Sequence, residues 1–430
     1  MKSVCIAFGL GCPRAQVDTA RLCAYVRANG WSIADTLEEA DVILVTTCGY
    51  DAQQEQRSFC LLDSADRRRK AGSRLVVVGC LAGINEARLQ ATFDADLVPP
   101  KSGPDLDEIL GATVRLDDVA DPNEIEPFIE RTSRHFDDAE RHSDGGRVRA
   151  QGRRALECFG IREMLSRGRW NRKRTYLWPT ERVFSIRVAQ GCLGECTYCA
   201  IRFAAGPLHS KPLRTVLTEF DAGLALGYTQ FKLIAGDLGC YGQDLGTNVA
   251  DLLSAIMERS ADFQLTLLDF DLKWFIMYSD VLIDLFARHN ARMRFLALPL
   301  QSGSERTLQH MRRGHTAADA ERALLALREA CPGVALGTHV LVGFPGETER
   351  DFEDTLNVLR AVRFHRVDFY DYQDRPGTEA SAMPDKVPRD VIRSRSLRGR
   401  REFGSRWAAL EYKVNGWGRP ATPRAGEPAG

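Results

Sequence analysis

The chain has 430 residues, 44% of them hydrophobic, and its 58 basic side chains balance 58 acidic ones. It can therefore bury large cores, in roughly two to four domains. No apolar stretch approaches the ~18 residues of a membrane span, and no long apolar run follows the amino terminus as in a signal peptide. Twelve cysteines, spread through the chain without dense spacing, suit metal ligation in a reducing cytoplasm better than a disulfide framework.

The first element is a strand over Val4–Phe8, with turns at Gly9 and Gly11. Helical spacing follows over Val17–Asn29, where Leu22, Tyr25 and Val26 share a side. Val42–Val45 and Leu75–Val78 are short β-branched runs between polar helical segments, the pattern of buried parallel strands in an α/β unit. A cysteine stands at the end of each strand: Cys12, Cys48 and Cys80. Thirty-five and thirty-one residues separate them, enough for one crossover each. The carboxyl ends of such strands share a rim, so three distant thiols are expected at one site, with glycines where close backbone approach is needed. Inert buried thiols are the plainer reading, and they fit Cys5, Cys23 and Cys60 better.

Asp105–Leu110 and Pro122–Ile129 read as short helices, and Asp138–Gly152 as a polar, mobile stretch. Residues 141–175 carry eleven Lys or Arg against three acids, and residues 386–430 eleven against four. Such patches suit phosphates or simply a solvated surface.

From Val183 the alternation returns, with strands at 184–188, 230–235, 264–268, 295–298, 337–342 and 367–372. Helices are expected at 214–226, 248–259, 278–288, 317–330 and 352–363. Six β/α repeats make an open partial barrel with its active groups at the strand carboxyl ends. Cys192, Cys196 and Cys199 lie at the first such end with spacing C-x3-C-x2-C. Thiolates this close fit one soft-metal site, zinc or iron–sulfur. A zinc ion normally takes a fourth ligand at comparable spacing, yet the nearest histidine, His209, is ten residues on. Three ligands with one open position suit a cubane. Thr348 and Asp351 form a capping box for the last barrel helix. Val391–Tyr412 reads as an arginine-rich amphipathic helix before a loose tail.

The run Cys192-Leu-Gly-Glu-Cys-Thr-Tyr-Cys199 resembles the radical S-adenosylmethionine (SAM) signature. With Gly11-Cys-Pro-Arg14, Val17-Asp18, Thr47-Cys-Gly49 and Gly79-Cys-Leu81, the chain resembles the radical SAM methylthiotransferases. It is most like the subgroup that modifies an aspartate of ribosomal protein S12. Leu298–Glu305 with Met311–Gly314, Leu341–Thr348 and Tyr370–Thr378 match the family's strand-five loop, next strand-end motif and end-of-barrel segment. The likeness covers residues 1–130 and 180–390.

The resemblance implies an α/β fold: an amino-terminal parallel-sheet domain (1–130) and an open partial (β/α)6 radical SAM barrel (180–390). A basic linker (131–179) joins them, and a helix and tail (391–430) follow. It implies two [4Fe-4S] clusters, one on Cys12, Cys48 and Cys80 and one on Cys192, Cys196 and Cys199. SAM would be used twice, as methyl donor and as source of the radical that removes a hydrogen atom from an unactivated carbon. Gly236, Asp237, Gln301, Ser302, Gly343 and Gly346 are the candidate SAM contacts, and His339 a candidate proton acceptor that a packed histidine would equally explain.

Several positions depart from the family: Ala15 and Thr46 replace Asn, Ala20 an acid, and Ala205 the Arg of an Arg-Gly pair, while Gly236-Asp237 stands where relatives have Gln-Asp. Groups around a metal centre tune it, so an altered substrate or an altered tuning of the cluster is expected. Too few residues follow the barrel for the family's TRAM domain. A peptide or protein side chain is the favoured acceptor, then a tRNA base, then a small metabolite; a non-catalytic iron–sulfur or zinc scaffold is the alternative of another class. A cytoplasmic monomer served by a flavodoxin- or ferredoxin-like electron donor, without a membrane, is expected.

Overall fold

The computed structural model describes residues 2–8, 12–125 and 182–403. The turn at Gly9–Gly11, the basic linker and the tail beyond 403 lie outside the described residues. So does most of the helix expected at Pro122–Ile129, whose described part is not helical.

The first sheet contains β1 (Ser3–Phe8), β2 (Ser32–Ile33), β3 (Val42–Thr47), β4 (Arg74–Gly79) and β5 (Asp96–Val98). All pairs are parallel, in the order β2-β1-β3-β4-β5. Its two faces form separate cores. Cys5, Ala7, Ile43, Val45 and Val77 pack with Phe59 and Leu62 on one side. Val4, Ile6, Leu44 and Val76 pack with Tyr25 and Val26 on the other. Each fully buried Val, Ile or Leu contributes roughly 1.5–3 kcal/mol, so the β-branched runs make the stable centre. The order reverses between β1 and β3, and at such a switch point the loops diverge and leave a crevice beyond the strand ends.

Helix α1 (Pro13–Ala28) begins four residues before the start read from periodicity. Proline suits the first helical position because its absent N–H has no intrahelical role there. Cys12 is thereby the N-cap residue of α1, and its thiol stands at the positive end of a helix dipole. Cys80 opens a second, short helix, Cys80–Ile84.

The second sheet orders β6 (Val183–Arg187), β9 (Gln230–Ile234), β10 (Gln264–Leu267), β11 (Met293–Ala297), β12 (Ala335–Val342) and β13 (Arg366–Asp371) in sequence. Every pairing is parallel. A hairpin of β7 (Ala189–Gln190) and β8 (His209–Ser210) brackets the cysteine loop. Helices cover the outer face, in a core running from Phe184 and Val216 round to Leu359 and Phe369. The expected capping box is present: Asp351 N donates to Thr348 Oγ1 and Thr348 N to Asp351 Oδ2, at 3.2 and 2.8 Å.

The two sheets are docked by buried polar contacts. Arg187 on β6 pairs with Asp18 on α1 and with Asp121. Arg375, after β13, donates to Gly49 O at 2.5 Å and pairs with Glu55 at 2.8 Å. Between these clamps Gly83 lies so close to Ala204 that a Cβ there would meet its Cα at 2.9 Å.

Candidate active site

Cys12, Cys48 and Cys80 follow the carboxyl ends of β1, β3 and β4, near enough to shift one another's protonation. Ser58 pins the middle one, its Oγ accepting from Cys48 N at 2.9 Å and donating to Cys48 O at 3.1 Å. Gly79 adopts φ +107°, and a Cβ there would stand 2.5 Å from Thr47 O. Only glycine lets the two cysteine-bearing strand ends come this near. Burial, reinforced by neighbouring Cys12, pushes the Cys48 thiol up to about 12. Cys80 is raised too, by burial first and by Cys12 and Cys48 against the opposing charge of Arg14. Thiols of this kind give up their protons to a metal rather than to water.

Cys192, Cys196 and Cys199 follow β6 and curl around a shared space. Gly194 N donates to Cys192 Sγ at 3.1 Å. A Cβ on Gly194 would lie 3.1 Å from Cys192 Sγ and 3.7 Å from Cys196 Sγ. The Cys240 thiol, hydrogen-bonded to Cys192, is the main cause of its depression to about 7. Arg313 Nη1 donates to Cys196 Sγ at 3.2 Å. Burial raises Cys199, with Cys196 adding to it.

Arg14 lies between the trios. Burial works against its charge, yet Cys12, Asp269 and Cys80 hold it firmly protonated. Its Nη1 is 3.6 Å from where a Cβ of Gly236 would stand, in the barrel wall. Its positive charge also contributes to lowering Cys192. Tyr50, next to the Cys48 turn, meets Tyr370 of the barrel edge-on at 5.4 Å. Thiols of both domains thus flank one buried guanidinium.

Gly236 comes two residues after β9, where a Cβ would press on Gly191 O at 2.1 Å. Asp237 Oδ1 accepts from Gly239 N at 2.9 Å and Asp271 N at 3.0 Å. Burial, then Asp271 and Cys192, pushes its carboxyl well above the usual range. That is an environment short of positive charge. Gln301 holds φ +66° and continues the sheet, donating to His339 O at 2.8 Å and accepting from Leu341 N at 2.9 Å. Such a conformation is costly for a non-glycine residue and concentrates at sites of function.

Ser302 is buried against Thr355, 3.3 Å between hydroxyls, and staples its loop to the helix Glu349–Val362. Gly343 is crowded by Ile392, which a Cβ would meet at 2.3 Å, so helix packing already demands glycine there. Gly346 donates to Asp385 O at 2.8 Å and accepts from Arg306 at 2.6 Å. Its motif neighbour Glu347 binds Arg395 of the helix Arg389–Phe403 at 2.8 Å. Those three candidates are engaged by the protein itself. His339 lies inside the barrel, edge-on to Tyr370 at 5.3 Å and 3.9 Å from Asp368. Burial lowers its pKa, with Asp269 and Asp368 opposing.

Residues 186–359 match the radical SAM superfamily model, and residues 5–99 match the model of the uncharacterized protein family UPF0004. The ribosomal protein uS12 methylthiotransferase RimO of Desulforudis audaxviator is 33% identical over 395 residues, covering 90% of this chain and 77% of that one. The chain belongs to the radical SAM methylthiotransferase family. RimO of Geotalea uraniireducens is 31% identical, over 90% and 78% of the two chains. RimO of Protochlamydia amoebophila is 28% identical, over 90% and 73%. The radical SAM methyltransferase TsrM of Kitasatospora setae shares the fold, with a TM-score of 0.55 over 89% of this chain and 77% of that one, at 16% identity.

A radical SAM methylthiotransferase is a SAM-dependent, sulfur-transferring enzyme that uses two [4Fe-4S] clusters. The donor sets here fit. Among the described residues no three Cys, His, Asp or Glu side chains could share a single metal ion. A cubane takes each thiolate on a different iron, and the missing side chain of Gly194 keeps the interval between Cys192 Sγ and Cys196 Sγ clear. Among the described residues no helix is long and apolar enough to cross a membrane.

Arg14, Tyr50, Asp269, Asp271, Cys240 and Arg313 are site residues the sequence reading did not single out. Asp269 carried no signal beyond its place at a strand end, where it takes φ +54°. Arg313 lay inside the Met311–Gly314 motif, and that could have flagged it.

Proposed function

We propose that the chain transfers a methylthio group to an unactivated carbon of a protein side chain, with a ribosomal protein of the uS12 type as the first acceptor to try. Two trios of thiols, from separate domains and flanking the buried Arg14, support this reading. The relatives named for uS12 support the choice of a protein acceptor.

Cys192, Cys196 and Cys199 would hold one cluster, and Cys12, Cys48 and Cys80 the other, each leaving one iron without a protein ligand. When bound, the clusters and SAM supply the electron, the hydrogen-abstracting radical and the sulfur. The chain's own groups position and exclude. Asp237, lacking a cation, is the group to receive the SAM ammonium, and Gly236 keeps the cysteine loop tight against it. Arg14 offers a positive charge to the anionic sulfur species between the trios. His339, edge-on to Tyr370, is placed to hydrogen-bond the acceptor side chain and hold it for hydrogen-atom removal. A flavodoxin- or ferredoxin-like protein would deliver electrons.

The test is anaerobic reconstitution, followed by reductant, methyl-labelled SAM and uS12. A labelled methylthio gain on one uS12 side chain supports the reading. SAM cleavage with uS12 unchanged, while a tRNA or small-molecule acceptor gains the label, overturns it.

A further inference from the structure

Arg313 is 6% exposed and stands deep in the barrel mouth. Its Nη1 donates to Cys196 Sγ at 3.2 Å and lies 3.5 Å from Tyr198 Oη. Its Nη2 donates to Pro299 O at 3.2 Å and pairs with Asp271 at 2.7 Å. Asp271 is itself fixed: its Oδ1 accepts from Lys273 N at 3.0 Å and its N donates to Asp237 Oδ1 at 3.0 Å. A continuous chain of contacts therefore runs from Asp237 through Asp271 and Arg313 to a thiolate of the cysteine loop.

A planar guanidinium whose Nη2 is held by both Pro299 O and Asp271 is restrained from swinging its Nη1 away from Cys196, which distinguishes it from a surface arginine. Taking one electron makes an iron–sulfur cluster more negative. Hydrogen bonds and positive charge at its sulfurs favour that state and raise the reduction potential. Charge-assisted donors in a dry site have the largest effect.

We propose that Arg313 is a positioning residue of the radical SAM cluster, fixing Cys196 and raising the cluster's reduction potential through the hydrogen bond to its sulfur. This rests on Cys196 being a cluster ligand. Because Asp271 balances the guanidinium, removing Arg313 would leave a carboxylate facing the cluster, and both changes disfavour reduction. SAM-ammonium binding at Asp237 would reach the cluster along the same contacts.

The test is an EPR-monitored redox titration of the reconstituted full chain carrying Cys12, Cys48 and Cys80 changed to Ala, so that one cluster titrates. Iron content should be about four per chain, and changing Cys196 to Ala should abolish it. Retention of the cluster by that variant means the ligand assignment has failed, which is a separate result. On the one-cluster background, Arg313→Met should retain iron with its reduced-to-oxidised ratio at fixed poise at least about tenfold lower, a fall of ~59 mV for a one-electron couple. Arg313→Lys, which keeps charge but not the fork, should fall between. Full iron with an unchanged midpoint in Arg313→Met overturns the proposal. Loss of iron from both variants overturns it too, since the guanidinium would then build the loop rather than tune the cluster.

Discussion

Arg187, at the carboxyl end of β6, reaches out of the barrel to Asp18 on α1, one turn and a half after Cys12. The same guanidinium binds Asp121, donating from Nε at 3.0 Å. Arg187 and Asp121 are 4% and 6% exposed. Five residues beyond Arg187 comes Cys192, so this contact sets how the two thiol trios face each other.

Replacing Arg187 by Met leaves Asp121 buried without its main partner. Loss of one member of a buried pair destabilises by about 3–5 kcal/mol, and Lys211, 3.2 Å from Asp121, should keep the loss near the lower end. Thermal unfolding checks this. A variant within 1 kcal/mol of wild type, on the order of a surface substitution, would contradict it.

The same pair gives a pH dependence. Burial opposes ionisation of Asp121, but Arg187, Lys211 and Arg21 hold its carboxyl below the usual range. A group depressed in the folded state adds stability above its unfolded value, about pH 4, and loses it as pH falls through the folded value. The wild-type chain should therefore weaken progressively below about pH 4. In Arg187→Met that part of the acid limb should shrink, as read by urea unfolding at stepped pH.

Two glycines offer a matched test of the separate sites. Gly236→Ala would drive a Cβ to 2.1 Å from Gly191 O, and Gly79→Ala to 2.5 Å from Thr47 O. Backbone cannot yield cheaply at such distances. Reconstituted wild type should hold about eight irons per chain. Gly236→Ala should lose SAM cleavage and about four irons, while Gly79→Ala should lose about four irons but keep SAM cleavage. Loss of the same irons in both variants would count against two independent sites.

His339 gives a prediction on rate. Burial lowers its pKa, so as a neutral hydrogen-bond partner of the acceptor it persists until pH falls below its ordinary value near 6.5. Methylthio transfer should decline only on the acid side of that point. His339→Gln should slow transfer about tenfold, on the order of one lost hydrogen bond, and flatten that limb. An unchanged rate and profile would mean the imidazole only packs against Tyr370.

Much of this was legible before the fold. β-branched runs ending in glycine and cysteine placed Cys12, Cys48 and Cys80 on one rim because parallel strands align their carboxyl ends. The barrel strands were equally clear from their spacing. The edge strands β2 and β5, two and three residues long, were not, since no periodicity survives at that length. The charged members of the site were half-visible: Asp18, Arg313 and Arg375 lie inside segments that carry the resemblance. Like Arg187, each still reads as a solvated charge in its own segment, and its role comes from a partner more than forty residues away. Gly343 misled in the opposite sense: its glycine signal reads as backbone approach to a cofactor, but Ile392 of a later helix fills that space.

Two clusters flanking Arg14 would lie close enough for their spins to interact. EPR of the fully reduced, reconstituted chain tests this directly. The account expects a spin-coupled, broadened spectrum that collapses to one simple signal when Cys12, Cys48 and Cys80 are all changed to Ala. A wild-type spectrum that is the plain sum of two independent clusters, or that the triple change leaves unaltered, would contradict it.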